Sequence, residues 1–372
     1  MIPYLVVIAL IPAFACALKP LRSKDKRITL TWIFYGMLAF LAMVRKETVG
    51  VDTPQFTGAY RAISDDTSFS LKKYRYEYGF TLLCRFLNHI SRDPQLLIMV
   101  TSAFMMFAVG YATYRLSEDV ALSAFMFIAM TTYTMYLNVM RQAVAIGFVL
   151  IGYCKLRDRK WPIALIFFLI ATQFHQTAWL VLLVFPITLL TFTRTSLILY
   201  ILTTIIMFIG SNSVTSLIAT ILGRTEFYDP NHTESNYFGA LIQLMFVISI
   251  VAMCFFYMPI QKLPQKQESD DERMVYTYQH MLMLWVMFVA MGVKVEVLGR
   301  LSYYFGALVI IIVPFVLKRV PAKESFFVRN IFCLVCFVYF VIIGVFRPQW
   351  HGAIPYATDF SSVINVFKTL FR

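Results

Sequence analysis

The chain carries too little charge for a protein that lives in water. Asp, Glu, Lys and Arg make up 14% of its 372 residues, against 59% hydrophobic and a mean hydropathy of +0.70. Soluble domains carry about 25% charged residues. Too few side chains are left to coat a globule with solvated groups, so the chain belongs in a bilayer. The apolar–polar alternation of barrel strands is also missing, because runs such as 197–210 and 308–317 do not alternate, and a transmembrane barrel is excluded with it. The apolar residues fall instead in blocks of about 15–24, close to the roughly 20 that cross about 30 Å of hydrocarbon as a helix. No basic residue precedes the first block, while Lys19, Arg22, Lys24, Lys26 and Arg27 follow it. A secretory signal has the opposite order, so residues 2–18 are expected to remain as a helix with its N-terminus outside.

Several familiar chemistries are absent. There is no phosphate-binding glycine loop with its lysine, no paired-histidine zinc helix and no G-x-S-x-G elbow. Cys333 and Cys336 have the gap of a zinc half-site but no companion pair or histidine nearby, and they read as helix packing. No cofactor and no metal is therefore expected. The net charge of +13 does not point to nucleic acid, because of where it sits. Lys155, Arg157, Arg159 and Lys160 separate two apolar blocks, and Lys318, Arg319, Lys323 and Arg329 two others. Short basic loops of this kind mark cytoplasmic connections. Asn231-His232-Thr233 matches a glycosylation acceptor, and no fixed-period repeat is present.

These features predict an all-α, polytopic integral membrane protein of about 10–12 transmembrane or re-entrant helices. Spans are expected near 2–18, 28–44, 94–116, 120–137, 139–154, 161–174, 176–191, 197–222, 237–260, 279–294, 301–317 and 331–346. The pieces between 139 and 191 are short, and some are candidates for broken helices lining a protein-enclosed cavity. No soluble domain is left over. Residues 1–372 read as one membrane domain, with an extracytoplasmic loop at about 45–93 that includes an amphipathic stretch at 78–90, and a cytoplasmic loop at about 261–279.

Ionisable groups in or beside a membrane cost about 2.5–3.5 kcal/mol each on insertion scales, so each is a functional candidate. With this topology most gather at the outer face. Arg45 leads a glycine-turned loop through Gly50 to Asp52, which reads either as an arginine offered to an anion with a carboxylate beside it, or as a snorkelling arginine before a solvated turn. Glu77 opens the amphipathic stretch, where an acidic residue also suits a helix N-terminus. Arg141 is the only charge in residues 120–154, and Asn138, Arg141 and Gln142 stand at i, i+3, i+4, one polar face of a helix. A guanidinium offers a planar fork suited to a pyrophosphate. His175 sits in a break between apolar pieces, where an imidazole can take a proton from a hydroxyl, or simply pack. Lys294, Glu296, Arg300, Tyr303 and Tyr304 lie at another outer exit, and Arg347, His351, Pro355, Tyr356 and Asp359 in the tail.

Taken together, these pieces resemble the EpsG branch of the Wzy-type bacterial polysaccharide polymerases. The resemblance rests on Arg45…Val49-Gly50-Val51-Asp52-Thr53…Phe56, Glu77-Tyr78-Gly79-Phe80, Asn138-Val139-Met140-Arg141-Gln142-Ala143-Val144-Ala145, Phe174-His175-Gln176-Thr177-Ala178, Arg300-Leu301-Ser302-Tyr303-Tyr304-Phe305 and Pro355-Tyr356, in that order. Tyr78 stands where the family usually has proline, and Thr177 where it often has serine. The resemblance implies a GT-C-like helical enzyme of the bacterial plasma membrane. Such an enzyme moves a growing glycan from undecaprenyl diphosphate to an undecaprenyl-diphosphate-linked repeat unit at the outer face, for O-antigen, capsule or exopolysaccharide, sometimes with a chain-length regulator as partner. Arg141 and Arg300, supported by Arg45, would then stabilise the departing diphosphate. His175 would be the first candidate base, with Asp52 and Glu77 next, and Asn138, Gln142, Tyr303, Tyr304 and Tyr356 would orient sugar or diphosphate. A polysaccharide O-acyltransferase and a lipid-linked sugar flippase remain as rival readings.

Overall fold

A computed structural model describes residues 1–65, 76–221, 237–258, 260 and 270–370. The glycosylation-type triplet at 231–233 and the first part of the 261–279 loop lie outside the described residues. Among those described, the regular elements are helices, with one isolated bridge between Arg45 and Thr358. In order they are α1 (Ile2–Ala17), α2 (Ser23–Val44), α3 (Thr53–Asp65), α4 (Tyr78–Asn88), α5 (Gln95–Leu116), α6 (Val120–Ala129), α7 (Thr132–Asn138), α8 (Met140–Arg157), α9 (Trp161–Thr172), α10 (Val184–Ile187), α11 (Arg194–Ile209), α12 (Ser211–Ile221), α13 (Tyr237–Tyr257), α14 (Asp270–Lys294), α15 (Glu296–Gly299), α16 (Tyr303–Gly306), α17 (Val309–Leu317), α18 (Ala322–Phe346) and α19 (Phe360–Leu370). A 3-10 helix, Gln176–Leu183, precedes α10.

Five of the described helices are long and apolar enough to cross a membrane, or eight if each of three bent pairs is one span, and three shorter apolar helices accompany them. The protein is thus all-α and multi-pass. Tyr237–Tyr257 and Ala322–Phe346 have a mean hydropathy of 2.4 yet are only 28% buried. Apolar surface turned outward on this scale belongs against lipid.

Breaks fall at places the periodicity did not mark. The span expected at 120–137 bends by 59° between α6 and α7, and the one at 197–222 bends by 75° between α11 and α12. The segment from Glu296 to Leu317 bends by 49°. Conversely, α8 is one continuous helix, and α14 starts at Asp270, so its first turns occupy sequence expected as loop. Their Glu and Arg are good helix formers and Asp suits a first turn, which a window that scores hydropathy alone misses.

The chain divides into two compact units, Met1–Trp179 with Pro321–Arg372, and Leu180–Val320. In the first unit, α2 and α5 run antiparallel, because Arg27 Nε donates to the Tyr114 carbonyl at 2.8 Å near one end and Gln95 Nε2 to the Met43 carbonyl at 2.7 Å near the other. Helix α8 lies parallel to α5, with Lys155 Nζ on the Tyr111 hydroxyl and Arg157 on the Arg115 carbonyl. Without a hydrophobic drive between helices in lipid, such contacts depend on small residues. At Gly147 a Cβ would stand 2.9 Å from the Phe104 ring of α5, and at Gly152 one would stand 2.3 Å from the Phe168 ring of α9. Two tyrosines add bonds across the bundle: Tyr133 donates to the Leu38 carbonyl at 2.8 Å and Tyr35 pairs with Thr113 at 2.7 Å.

One consequence is polarity along the first unit. Arg27, Arg115, Lys155 and Arg157 gather at one end, where Arg115 meets Asp158 at 2.8 Å and Arg329 meets Asp119 at 2.8 Å. Arg45, Asp52, Glu77, Arg141 and His175 lie at the other.

In the second unit, α14 packs with α11 and α13, and the chain then doubles back through α15. Gly292 and Gly299 approach so closely that a Cβ on Gly292 would stand 2.6 Å from the Gly299 Cα. Phe288 stacks on Phe305 at 5.6 Å, which fixes α16 against α14.

Candidate functional site

The loop after α2 is built on a backbone only glycine tolerates. Gly50 has φ +102, and a Cβ there would stand 2.6 Å from the Leu137 carbonyl oxygen. Its N–H donates to the Gly352 carbonyl at 2.8 Å, and the one proton of Thr53 Oγ1 is shared between the Val49 and Leu137 carbonyls at 3.0 and 3.2 Å. This packing lays the loop against the end of α7. There the Asp52 N–H donates to Asn138 Oδ1 at 2.8 Å. Asn138 thus fixes the position of Asp52 through its backbone.

Asn138, Arg141 and Gln142 do not share one continuous helix face. Val139 (φ −87, ψ 54) ends α7 and starts α8. The break turns Asn138 toward the Asp52 loop and leaves Arg141 in the first turn of α8, aimed at α3 and α4. Gln142 is buried at 1% exposure.

Arg141 and Glu77 form an ion pair, with side chains 15% and 12% exposed. The guanidinium carbon lies 4.8 Å from the centre of the Tyr76 ring, 5.2 Å from Phe56 and 5.8 Å from Phe80. Three aromatic faces and one carboxylate therefore hold the guanidinium. Its Nε is buried without a hydrogen-bond partner. The other Glu77 oxygen, Oε1, accepts the Gln176 N–H at 3.0 Å. A single carboxylate so joins Arg141 to the segment that carries His175.

That segment is clamped to α4. The Phe80 N–H donates to the Gln173 carbonyl at 3.3 Å, and a Cβ on Gly79 would stand 2.7 Å from the same oxygen. Phe174 stacks on Phe148 of α8 at 5.3 Å. His175 is half-buried, and its Nδ1 is 2.6 Å from Thr177 Oγ1. The short expected segment after His175 is a 3-10 helix, Gln176–Leu183, so the imidazole sits at a true interruption of the α-helical backbone.

Arg45 has a different place. It is wholly buried, with Nη1 donating to the Ala42 carbonyl and to Ser102 Oγ, each at 2.6 Å. Its own carbonyl accepts from Gln95 at 3.1 Å. The guanidinium braces α2, α5 and α7 from within. Tyr356 joins the same brace by donating to the Leu41 carbonyl and packing edge-on against Tyr4 at 5.8 Å. Burial pushes its phenol up to about 12, with Arg45 pulling the other way. Asp359 follows, its carboxyl lowered by bonds from the Ser362 N–H and the Ser361 hydroxyl.

Arg300, Tyr303 and Tyr304 belong to the second unit, in the turns that double back on α14. Arg300 and Tyr303 are half-buried, while Tyr304 is fully buried.

Tyr76 was not singled out by sequence, although it is the ring nearest Arg141. Its signal was position, one residue before Glu77. In the second unit, His280 was also passed over: it is buried, bonded to Tyr200 at 3.0 Å and 5.0 Å from the Phe192 ring. A histidine inside an apolar span was the available cue.

A polar constellation set into one end of a multi-pass helical bundle fits a membrane protein. The family model described as EpsG family matches residues 28–358, and the chain belongs to the EpsG family. It is accordingly a membrane protein of the polysaccharide-polymerase, glycosyltransferase-like type. Neither the comparison with curated proteins nor that with solved structures found a match.

Proposed function

We propose that the protein elongates a polysaccharide at the outer face of the bacterial plasma membrane, moving a glycan from undecaprenyl diphosphate to a lipid-diphosphate-linked repeat unit. One observation carries this reading: Glu77 ties the caged guanidinium of Arg141 to the backbone beside His175. Cleaving the anomeric bond to diphosphate leaves charge on a phosphate oxygen. A fixed guanidinium in a site of low dielectric stabilises that charge far better than solvent does. The unpartnered Nε of Arg141 and the aromatic faces around it supply such a setting.

The acceptor hydroxyl needs a base within reach, and His175 is the first choice because an imidazole is partly unprotonated near neutral pH. Asp52 is the second, its loop set by Asn138. Glu77 accepts bonds on both oxygens and acts as the positioning residue for Arg141 and the His175 segment. Arg45 and Tyr356 support the site from below. For Arg300, Tyr303, Tyr304 and Gln142 the assignment to diphosphate or sugar rests on the sequence resemblance. The outer-face assignment follows from the positive-inside rule, since the basic end of the first unit is the opposite one.

The test is reconstitution. Purified protein in liposomes, supplied with lipid-diphosphate repeat units extracted from a polymerase-deficient strain, is expected to yield a ladder of longer saccharides. Acyl incorporation without lengthening would establish an O-acyltransferase instead, and transbilayer movement without lengthening a flippase.

A further inference from the structure

At the same end of the first unit, a separate set of polar groups lines a partly open cavity of about 20 Å³. Thr131, Thr134, Arg347 and His351 line it, with Gly344 and Ile354 among its apolar walls. Thr131 sits at the 59° bend between α6 and α7 and has φ +61, an uncommon conformation for a β-branched residue. The bend aims the first turn of α7 at the tail.

Thr134 Oγ1 donates to the Thr131 carbonyl at 2.9 Å, and a carbonyl can only accept. With its one proton on that carbonyl, the hydroxyl meets His351 Nδ1 at 3.0 Å as acceptor, and the matching tautomer has the proton on Nδ1 and a lone pair on Nε2. Burial holds the ring's pKa at about 4, so this acceptor persists at neutral pH. Trp350 stacks on the ring at 5.0 Å with an 18° tilt, and the Arg347 guanidinium lies 5.5 Å from the Trp350 centroid. Acceptor and donors thus meet around a space that fits one oxygen-sized group, since about 10–15 Å³ is enough for one. An anion would face the Nε2 lone pair and a cation would face Arg347. An alcohol hydroxyl both donates and accepts.

We propose that this cavity takes one hydroxyl group of the sugar chain, with His351 Nε2 accepting and Arg347 donating. That the occupant is a sugar rests on the polymerase reading above. The cavity is tied to that site, because the carbonyl of Gly352, next to His351, accepts from Gly50 in the Asp52 loop at 2.8 Å. A ligand seated here would report directly on the loop that positions Asp52.

The experiment measures apparent KM and kcat for elongation of the extracted lipid-diphosphate repeat unit by reconstituted protein. His351→Phe keeps the stacking ring and removes both nitrogens. Thr134→Val frees the ring from its tautomer lock. Each is expected to raise KM about tenfold, the loss of one good hydrogen bond, with kcat within about twofold. Thr134→Ser keeps the hydroxyl and with it the low KM. Arg347→Gln, at the rim, covers the case in which a buried variant fails to fold, and it too should raise KM. Unchanged KM in folded His351→Phe and Arg347→Gln would overturn the proposal and leave a water-filled packing defect. A fall in kcat at constant KM would also overturn it, since the ring would then only brace the loop. Absence of any ladder from the unaltered protein would instead sink the polymerase reading.

Discussion

At the scale of single residues, the two arginines that head the sequence motifs have opposite surroundings. Arg141 is caged by rings and joined to a carboxylate at a partly open position, whereas Arg45 is sealed and bonded to Ala42 and Ser102. Removing Arg45 takes the donor from the buried Ser102 oxygen and leaves a void where a wholly buried side chain stood. Arg45→Ala is therefore expected to lower stability by about 2–4 kcal/mol, read as a drop in thermal midpoint in detergent. An unchanged midpoint would show that the brace is dispensable. His351 gives a second test. Its folded pKa, about 4, lies below the ordinary value of 6.5 because burial disfavours the cation. Between those values the unfolded chain binds more protons than the folded one, so stability falls as pH drops from 6.5 toward 4, by about 1.4 kcal/mol per unit. His351→Gln should flatten the thermal midpoint over that window, and an equally steep dependence in the variant would assign it to other groups. Sequence alone could name both arginines and the histidine, because charge in an apolar chain stands out. It could not tell a cage from a brace, since that difference lies in what α3, α4 and α5 bring alongside.

At the scale of elements, the informative features are interruptions. The expected single polar face of Asn138, Arg141 and Gln142 is cut at Val139, and the cut lets Asn138 and Arg141 address different partners. Hydrophobic periodicity placed apolar blocks well, because bilayer thickness sets their length. It did not find the bends at Thr131 or Gly210, where a local backbone turn leaves the apolar pattern unbroken. The amphipathic stretch at 78–90 was legible and stands as α4, while α3 was not, its polar Thr and Gln masking a buried face of Phe56, Tyr60 and Ile63. Glycine marked the loop correctly at Gly50. Gly50→Ala there would combine a left-handed backbone, about 1–2 kcal/mol for an L side chain, with a clash against a carbonyl oxygen of α7. The expected result is a destabilised protein with Asp52 displaced, seen as lower thermal midpoint together with lost elongation. A variant that keeps both would show that the loop has slack the packing does not reveal.

For the molecule in its membrane, charge placement in the first unit supports the proposed orientation. The basic end of the first unit and the end bearing Glu47, Asp52 and Glu77 are opposite, and the proposed outer-face site puts the former in the cytoplasm, as the positive-inside rule expects. With the native cysteines replaced, Glu47→Cys should react in intact spheroplasts with a membrane-impermeant maleimide, and Arg159→Cys only after permeabilisation. The reverse pattern would turn the protein over and end the outer-face assignment. The central claim is that elongation takes place at the cage that Glu77 ties to the His175 segment. Its most direct measurement is the rate of ladder formation by reconstituted Arg141→Ala and His175→Ala proteins whose thermal midpoints stay near that of the unaltered chain. Each should lose at least about a hundredfold in rate, in line with removal of a transition-state donor or base. Ladders formed by both variants at the unaltered rate would contradict that claim.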